Sequence, residues 1–388
     1  MPVDRMFPPL LTATGPQPNT DATDLIDLVR DLAATSLMPK AAASEEAKKF
    51  PAEAFATIGR AGLLGLPFPE QYGGGAQPYE IYLQALEELS AAWLTVGLGV
   101  SVHTLSAFPL WHFGTEAQRT QWLPDMVGGT QLGGFMLSEF DAGSDVAALQ
   151  TRAVRDGDTY VINGSKAWIT HAGVANFYAL MARTGEAGPK GISCFLLPAT
   201  TSGIEVLAPE RKMGLNASPT CAMNLHDVRL PANHLIGVEG QGMAIALAAL
   251  NSGRMGIAAC ATGLAQAALD HAVAYAKERA QFGKPIIAHQ GVAFMLADMA
   301  AAIGSARAAY LDAARRYDAG RDFATAAAIA KLTATDAAMK VTTDAVQVLG
   351  GAGYAMDHPV ERYLREAKVT QIFEGTNQIQ RLIIARSL

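Results

Sequence analysis

The chain has 388 residues, of which 50% are hydrophobic and 17% charged, and this allows a large core shared among two or three domains. A formal net charge of -6 does not indicate a general polyanion-binding surface, so we expect neither nucleic acid nor a membrane as partner. The three cysteines are far apart and form no Cys-x-x-Cys pair, which argues against a disulfide or zinc framework and favours a reducing compartment.

The N-terminal third is predicted to be helical, behind an irregular arm. Residues 1–23 lack the continuous apolar segment of a signal peptide and are poor in arginine, so we predict a cytoplasmic protein. Apolar residues then recur with helical spacing, and Thr115 with Gln118 matches a capping box. We expect this domain to end at residue 129.

Residues 130–237 are rich in β-branched residues and turn signals and are predicted to form a small antiparallel β domain. The segment 159–170, TYVINGSKAWIT, holds two strand-like runs around Asn163–Gly164, a dipeptide that favours a two-residue hairpin turn. Asp156–Gly157 indicates another turn.

Helical periodicity and a high alanine content return from residue 238 to the end. We predict long helices near 242–280, 289–319 and 322–349, and shorter ones near 360–368 and 376–386. The apolar segment 255–276 contains Gln266, Asp270 and His271, so a packed bundle helix is favoured over a membrane span. Helices segregated from strands indicate an α+β fold and not a doubly wound sheet.

Several catalytic signatures are missing from the sequence. It has no Gly-x-Gly-x-x-Gly for a nicotinamide dinucleotide, no P-loop and no Gly-x-Ser-x-Gly of a hydrolase. The eight histidines have no metal-ligand spacing, so no metal site is predicted. The reactivity of the protein must therefore have another source.

Four motifs resemble those of the acyl-CoA dehydrogenase family. They are FMLSEFDAGSD (135–145), NGSKAWIT (163–170), RAQFGKPI (279–286), and QVLGGAGY (347–354) with QIFEGTNQIQR (371–381). The resemblance implies a flavoprotein oxidoreductase of fatty acid β-oxidation, which uses FAD to desaturate acyl-CoA thioesters between the α and β carbons. It also implies a fold with an N-terminal helical domain (1–129), a middle antiparallel β-barrel-like domain (130–237) and a C-terminal four-helix bundle (238–388).

The first two motifs contain the residues expected to line FAD. The small-residue turn of FMLSEFDAGSD offers backbone N–H groups and hydroxyls, and an ordinary polar turn is its structural alternative. Period-two alternation places Trp168 and Thr170 on one face of a strand, where an indole can pack on the flavin; a core tryptophan is the alternative. The residues given this role by resemblance are Met136, Leu137, Ser138, Ser144, Trp168, Ile169 and Thr170.

Further FAD contacts are expected from a neighbouring subunit. Arg279 offers a fixed positive fork for a pyrophosphate, although a plain helix C-terminus also explains this region. By resemblance the contacting residues are Arg279, Gln281, Phe282, Gln290, Gln347, Gly350 and Gly351. FAD binding then requires at least a dimer, and the family usually forms a homotetramer built as a dimer of dimers.

Glu374 is a lone carboxylate behind apolar residues in the segment QIFEGTN. A helix N-terminus capped by Thr376 or Asn377 accounts for an acid on this turn, but not for Ile372 and Phe373 before it. A partly desolvated carboxylate has a raised pKa, which suits abstraction of the weakly acidic α-proton of a thioester. The resemblance assigns Glu374 as the catalytic base, and it directs Thr376 and Gln378 toward FAD.

Substrate-binding residues also follow from the resemblance. They are Ser144, Asn251, Arg254 and Gly375. Some relatives carry the base immediately before an arginine on the first long C-terminal helix, and here that position is Gly253. Phe140 stands where the family has a proline. Gly97 and Gly99, in the apolar stretch 91–113, are predicted to leave room for the acyl chain.

The leading hypothesis is a short- to medium-chain acyl-CoA dehydrogenase that passes electrons to an electron-transfer flavoprotein. The enzyme alternative is an acyl-CoA oxidase, or a dehydrogenase of a branched or pathway-specific thioester, on the same fold; rapid flavin reoxidation by O2 distinguishes the oxidase. The non-enzyme alternative is a flavin-binding relative that protects DNA or acts as a scaffold. The acidic pI of about 5.8 and the intact FEGT segment argue against it.

Overall fold

A computed structural model describes residues 20–388, and all but the last few residues of the predicted N-terminal arm lie outside this range. Helices occupy both ends of the described chain, and a π-helical turn, Ala33–Leu37, joins the first two of them. The α-helices are α1 (Thr20–Leu32), α2 (Met38–Ala47), α3 (Ala52–Arg60), α4 (Tyr79–Ala92), α5 (Leu94–Phe113), α6 (Glu116–Val127), α7 (Gly242–Glu278), α8 (Gln290–Asp318), α9 (Ala324–Leu349), α10 (Val360–Thr370) and α11 (Asn377–Arg386).

Strands occupy the middle of the chain and form an eight-stranded sheet with the order β6-β7-β3-β2-β4-β5-β8, with β1 paired to β4. Its strands are β1 (Gly133–Met136), β2 (Arg152–Asp156), β3 (Thr159–Thr170), β4 (Phe177–Arg183), β5 (Ile192–Pro198), β6 (Ile204–Val206), β7 (Thr220–Pro231) and β8 (Leu235–Ile236). A separate small hairpin consists of β9 (Ala280–Gln281) and β10 (Lys284–Pro285).

The predicted α+β fold, with helical, β and helical regions in that order, is confirmed. The sheet is open and does not close into a barrel, and β1 runs parallel to β4, so it is not purely antiparallel. The predicted C-terminal helices are found within a few residues of their expected ends. The domain limits at 129/130 and 237/238 stay a prediction.

The hairpin predicted at Asn163–Gly164 is wrong. β3 runs through this dipeptide and pairs with β7 on both sides of a register shift there, while the turn between β2 and β3 lies at the predicted Asp156–Gly157. A Cβ on Gly164 would lie 2.6 Å from the Thr151 hydroxyl oxygen, and its φ is +151°. Close packing and backbone geometry therefore explain the glycine, because both exclude a larger residue without reversing the chain.

The capping box predicted at Thr115 and Gln118 is confirmed. The Thr115 hydroxyl accepts from the Gln118 N–H at 3.2 Å, and the Gln118 side chain accepts from the Thr115 N–H at 2.8 Å. The Gln118 amide also donates to the carbonyls of Asn233 and Leu235. The start of α6 is thereby fastened to the end of the β-sheet region.

Helix α7 lies at the centre of the helical core, in contact with α4, α5, α8 and α9. Its small residues allow this close approach: a Cβ on Gly263 would lie 2.2 Å from the carbonyl oxygen of Glu87 on α4, and one on Gly256 would lie 2.4 Å from the Ser101 hydroxyl on α5. Larger side chains at these positions would push the helices apart, because protein interiors are close-packed.

Three of the described helices are long and apolar enough to cross a membrane by length and composition, namely α5, α7 and α8. The apolar window is 94% buried by protein in α5 and 72% buried in α7, but only 22% buried in α8. The fold itself therefore covers the apolar surface of the first two helices. The predicted absence of a membrane partner stays a prediction.

A buried carboxylate, Glu45 on α2, joins three segments of the chain. It accepts hydrogen bonds from the Trp93 indole at 2.9 Å, from the Thr95 hydroxyl, and from the backbone N–H of Ala217 at 3.0 Å. Trp93 and Thr95 mark the start of α5, and Ala217 lies just before β7. The N-terminal helices and the sheet region therefore share one buried acceptor.

We expect Glu45→Ala to lower the free energy of unfolding by about 3 kcal/mol, because it leaves three buried donors without an acceptor. Denaturant unfolding followed by circular dichroism measures this loss. The matched control is Glu46→Ala, since Glu46 is the adjacent and exposed residue of the same helix. Equal effects of the two substitutions would contradict the role given to Glu45.

Candidate active site

The first two motifs meet through a buried ion pair between β1 and β3. The fully buried Lys166 ammonium donates to Glu139 Oε1 at 2.9 Å and to the carbonyl of Leu137 at 3.0 Å. Glu139 also accepts from the backbone N–H groups of Gln150 and Thr151. Burial lowers the pKa of Lys166 to about 8, against the opposing effect of Glu139. The loop that follows β1 is thus fixed to the strand that carries Trp168.

An exposed aromatic pair lies beside this ion pair. Trp168 is 55% exposed and has a φ of +61°, and Phe140 is 63% exposed with its ring centroid 5.9 Å from that of Trp168. Non-glycine residues seldom adopt a positive φ, and such strain concentrates at functional sites. Ile169 is buried and Thr170 is half-buried, and the pairing of β3 with β7 shifts register between Lys166 and Ile169. That Trp168 and Thr170 share one face stays a prediction.

The residues predicted to line FAD differ in what they can offer. The side chains of Met136, Leu137 and Ile169 are buried, so these residues present backbone groups only. Ser138 is half-buried, and Ser144 is exposed in the same loop. The exposed Ser144 hydroxyl and Trp168 indole, with the half-buried hydroxyls of Ser138 and Thr170, lie after β1 and at the end of β3. They form a donor set that fits a flavin dinucleotide.

A second group of predicted residues is exposed on the C-terminal helical region. The hairpin β9–β10 turns at Phe282 and Gly283, with φ values of +53° and +78°, and it leaves Phe282 95% exposed. A Cβ on Gly350 or Gly351 would meet no atom within 4 Å, so packing inside one subunit does not require these glycines, and the φ of +63° favours glycine at position 350 alone. The exposed members are Arg279, Gln281, Phe282, Gln290, Gln347, Gly350 and Gly351.

Between residues 20 and 388, no hydrogen bond or ring contact joins this second group to the residues at the ends of β1 and β3. The structure therefore brings the first two motifs together within one chain and leaves the third motif and the Gly350 segment apart from them. This separation is expected if the second group contacts a cofactor that another subunit holds.

Glu374 lies on the turn between α10 and α11, in a strained conformation. Its φ is +52° and that of Gly375 is +88°, so two successive residues are left-handed. The carboxylate oxygen Oε2 is buried and has no hydrogen-bond partner, and a Cβ on Gly253 would lie 2.2 Å from it. The carboxylate therefore occupies the space that a side chain at position 253 of α7 would take.

Burial and the neighbouring charges have opposite effects on the pKa of Glu374. Burial raises the pKa of Glu374 to about 7, while the charges of Lys331 and Arg254 act to lower it. The Arg254 guanidinium is buried and donates to the Asn251 amide oxygen, which is neutral. The two predicted substrate residues Asn251 and Arg254 therefore lie one turn apart on α7, next to the predicted base.

Thr376 and Gln378 begin the last helix. The Thr376 hydroxyl accepts from the Ile379 N–H at 3.3 Å and caps α11, which is one of the two caps predicted, and Gln378 is exposed. The cap explains Thr376 but leaves the conformation of Glu374 unexplained. The cap lies two residues after the strained acid, so the structural and catalytic explanations of the segment are compatible.

Lys331 on α9 is a site residue that the sequence motifs missed. It is fully buried and donates to the carbonyl of Gly375 and to the Asn377 amide oxygen, both at 2.9 Å. A sequence signal existed, because Lys331 stands between Ala327 and Ala334 on the alanine-rich buried face of a helix. A charged residue in such a stripe is seldom buried without a partner.

The room predicted at Gly97 and Gly99 is absent, so that expectation is wrong. A Cβ on Gly97 would lie 2.0 Å from the Ser90 hydroxyl, and one on Gly99 would lie 2.3 Å from the Phe55 ring and 3.0 Å from His171 Nε2. These glycines let α5 pack against its neighbours, and their space is already filled. Sequence spacing could not distinguish a packing glycine from one that lines a pocket.

Family models of the acyl-CoA dehydrogenase N-terminal, middle and C-terminal domains match residues 19–130, 134–228 and 240–388. The chain belongs to the acyl-CoA dehydrogenase family. An acyl-CoA dehydrogenase of Bacillus subtilis (strain 168) is 45% identical to it over 363 residues, which are 93% of this chain and 96% of that protein. The resemblance predicted from the four motifs is therefore confirmed, and so are the FAD cofactor and the oxidoreductase activity.

Two solved structures are similar over almost their whole length. Butyryl-CoA dehydrogenase from Megasphaera elsdenii has a TM-score of 0.94 and 40% identity, covering 95% of this chain and 98% of that chain. A chain in a structure concerning the electron transferring flavoprotein of Acidaminococcus fermentans has a TM-score of 0.95 and 41% identity, covering 96% of this chain and 99% of that chain.

We expect Gly253→Ala to lower kcat by about 100-fold, because the added methyl group displaces the Glu374 carboxylate. Misplacing a catalytic group by about 1 Å typically reduces the rate by this factor. The clash is with the far end of a flexible side chain, so the protein should still fold and retain FAD. Steady-state kinetics with butyryl-CoA and an artificial electron acceptor measure the effect.

The control is Gly304→Ala on α8, where an added Cβ meets no atom within 4 Å. It should retain the wild-type rate, since alanine is the better helix former. A Gly253→Ala enzyme as active as this control would contradict the placement of the carboxylate against α7.

Proposed function

We propose that the protein catalyses the α,β-dehydrogenation of a short- to medium-chain acyl-CoA thioester to the trans-2-enoyl-CoA, with Glu374 as the base. The observation that carries the proposal is the Glu374 carboxylate, whose Oε2 is buried and unpartnered on a left-handed turn. A carboxylate without a hydrogen-bond partner keeps its basicity, and a strained turn at a buried acid favours a functional role over a structural one.

Glu374 takes the proton from the α-carbon, and the β-carbon loses a hydride, so that the bond between them becomes double. FAD, when bound, supplies the acceptor for that hydride. The pKa of about 7 places the base near neutral pH, where a proton acceptor is most effective. We assign the Glu374 backbone N–H to the thioester oxygen, which gains negative charge as the α-proton leaves. Gly375 lets the substrate approach this N–H closely.

We assign FAD to the groups that the fold leaves exposed on two separate regions. The residues at the ends of β1 and β3 would hold it within one subunit, together with Thr376 and Gln378. A neighbouring subunit would contribute the hairpin that carries Phe282 and the glycines at 350 and 351, whose surroundings inside one chain are open space. A homotetramer, as predicted from the resemblance, would supply these contacts, and a dimer is the minimum.

The proposed substrate class rests on an apolar side chain beside the Glu374 carboxylate and on the similarity to known proteins. A Cδ atom of Leu105, on α5, lies 3.2 Å from the Cβ position of Gly253, so an apolar side chain adjoins the carboxylate. Similarity to butyryl-CoA dehydrogenase from Megasphaera elsdenii favours a short acyl chain. Similarity to a chain in a structure of an electron transferring flavoprotein favours such a protein as the electron acceptor. We place Ser144, Asn251 and Arg254 among the substrate contacts, and the cytoplasm remains the proposed location.

We expect anaerobic butyryl-CoA to bleach the flavin absorbance of the wild-type protein, and Glu374→Gln to slow this bleaching by at least ~10⁴-fold, because the amide cannot accept the α-proton. FAD should remain bound in the variant. Stopped-flow spectroscopy measures both, with octanoyl-CoA as a second substrate.

The control substitution is Glu70→Gln, an exposed acid in the N-terminal region. Wild-type bleaching by Glu374→Gln would disprove the assignment of the base. Reoxidation of the bleached flavin by O2 as fast as by an electron-transfer flavoprotein would favour the oxidase alternative.

We expect kcat/KM to rise with pH and to level off above a pKa of about 7. The sign follows from the role of Glu374: the base acts when deprotonated, and burial raises its pKa, so activity is lost as the pH falls through this value. A series of rates from pH 5 to 9 measures the profile. If kcat/KM instead rises through a pKa near 4.5, the ordinary value for glutamate, the base is solvated or lies elsewhere.

A further inference from the structure

We infer that Lys331 is a positioning residue for the reaction, which holds the turn of Glu374 in its left-handed conformation and keeps a positive charge near the carboxylate. This inference rests on the proposed function of Glu374. Lys331 lies on α9, outside all four sequence motifs, and touches neither FAD nor substrate in the roles assigned above. Its contribution is therefore made through the base.

The backbone conformation of the turn that carries Glu374 needs hydrogen bonds to hold it. Glu374 and Gly375 are both left-handed, and for a non-glycine residue this conformation costs about 1 kcal/mol or more. The Gly375 carbonyl accepts from Lys331 at 2.9 Å and from the Gln380 amide at 2.8 Å. Two buried donors thus converge on the carbonyl that follows the base. Without them the turn could relax and carry the carboxylate away from α7.

A second layer of hydrogen bonds extends from the same face of α9. The Asn377 amide donates to the Thr335 hydroxyl at 2.9 Å and to Asp336 Oδ1 at 2.7 Å. Asp336 also accepts from Gln371 at 2.7 Å and from Arg381 at 3.0 Å. One turn of α9 therefore fixes the end of α10, the catalytic turn and the start of α11. Lys331 is the member of this layer that reaches the backbone beside the base.

Lys331 acts on Glu374 through its charge, whereas its hydrogen bonds are made to Gly375 and Asn377. Lys331 and Arg254 both lower the pKa of Glu374 against the effect of burial, and Lys331 has the larger influence. The Lys331 ammonium bonds to Gly375 and Asn377, so it does not occupy Oε2, which stays unpartnered. A direct ion pair would reduce the basicity of the carboxylate further.

The other titratable groups facing Glu374 come from α4 and α7. Tyr79 and Tyr82 on α4 and Cys260 on α7 each have a pKa raised by burial, and the charge of Glu374 adds to this effect. These three groups stay neutral near pH 7. Lys331 and Arg254 are therefore the charged groups of the described residues that act on the base, and Arg254 belongs to the proposed substrate contacts.

The experiment compares Lys331→Met, Lys331→Gln and Lys331→Arg with Lys340→Met. Lys340 lies on the same helix but is exposed and pairs with Asp344, so its variant controls for loss of a lysine from α9. The first readout is the pH profile of flavin bleaching by butyryl-CoA. The second is hydrogen exchange of residues 372–378 without substrate, which reports the order of the turn independently of activity.

Lys331→Met should slow bleaching by about 10-fold or more, with a smaller change in KM, and should raise the limb of the pH profile by about one unit. Its turn should exchange faster than in the wild type. Lys331→Gln should also raise the limb, because it too removes the charge, but should preserve more of the turn through its amide. Lys331→Arg should restore the limb, and Lys340→Met should match the wild type.

A wild-type rate and an unshifted limb in folded, FAD-loaded Lys331→Met would overturn the inference. If Lys331→Met does not fold, Lys331→Gln carries the same test of the charge, and an unshifted limb there has the same meaning. Failure of the proposed function is distinguishable, since it would appear as no bleaching of the wild-type protein by any acyl-CoA. If hydrogen exchange of residues 372–378 is slower or unchanged in Lys331→Met, Lys331 does not hold the conformation of the turn, even if the pKa of the bleaching profile shifts.

Discussion

The proposed active site depends on a carboxylate oxygen that is buried and yet free of hydrogen-bond partners. Glu374 Oε2 meets both conditions because it occupies the side-chain space of Gly253, on a turn whose backbone is held from behind. Burial alone would make the acid neutral and inert at physiological pH, and a direct ion pair would make it a poor base. The observed arrangement lies between these two limits.

The helical core makes this arrangement possible through small residues. Glycines along α7 let α4 and α5 approach its backbone, and the same lack of side chains at Gly253 admits the carboxylate from the far end of the chain. Close packing thus fixes the proposed base against a helix, although this residue itself lies on a turn. The turn before α11 places the Glu374 carboxylate against Gly253 of α7, and Lys331 of α9 bonds to the backbone of the same turn.

A common device fixes both of the loops that carry the proposed chemistry. Lys166 and Lys331 are fully buried, and each donates to a backbone carbonyl of a functional loop, that of Leu137 or Gly375. Burial lowers the pKa of each lysine to about 8. A buried ammonium with three donors can satisfy several loop acceptors at once, so it fixes a conformation that local sequence does not favour.

The sequence by itself determined the family, the order of helices and strands, the capping box at Thr115 and the candidate base, because motifs and periodicity are local properties. Prediction from the sequence failed where distant segments decide the outcome. Gly164 proved to be a packing residue within a strand, and the space beside Gly97 and Gly99 is occupied by Ser90 and Phe55. Only the tertiary structure set Lys331 beside Gly375, since 44 residues separate them and no local pattern records that contact. The electrostatics of Glu374 likewise come from side chains on other helices, whose distances the order of residues does not fix.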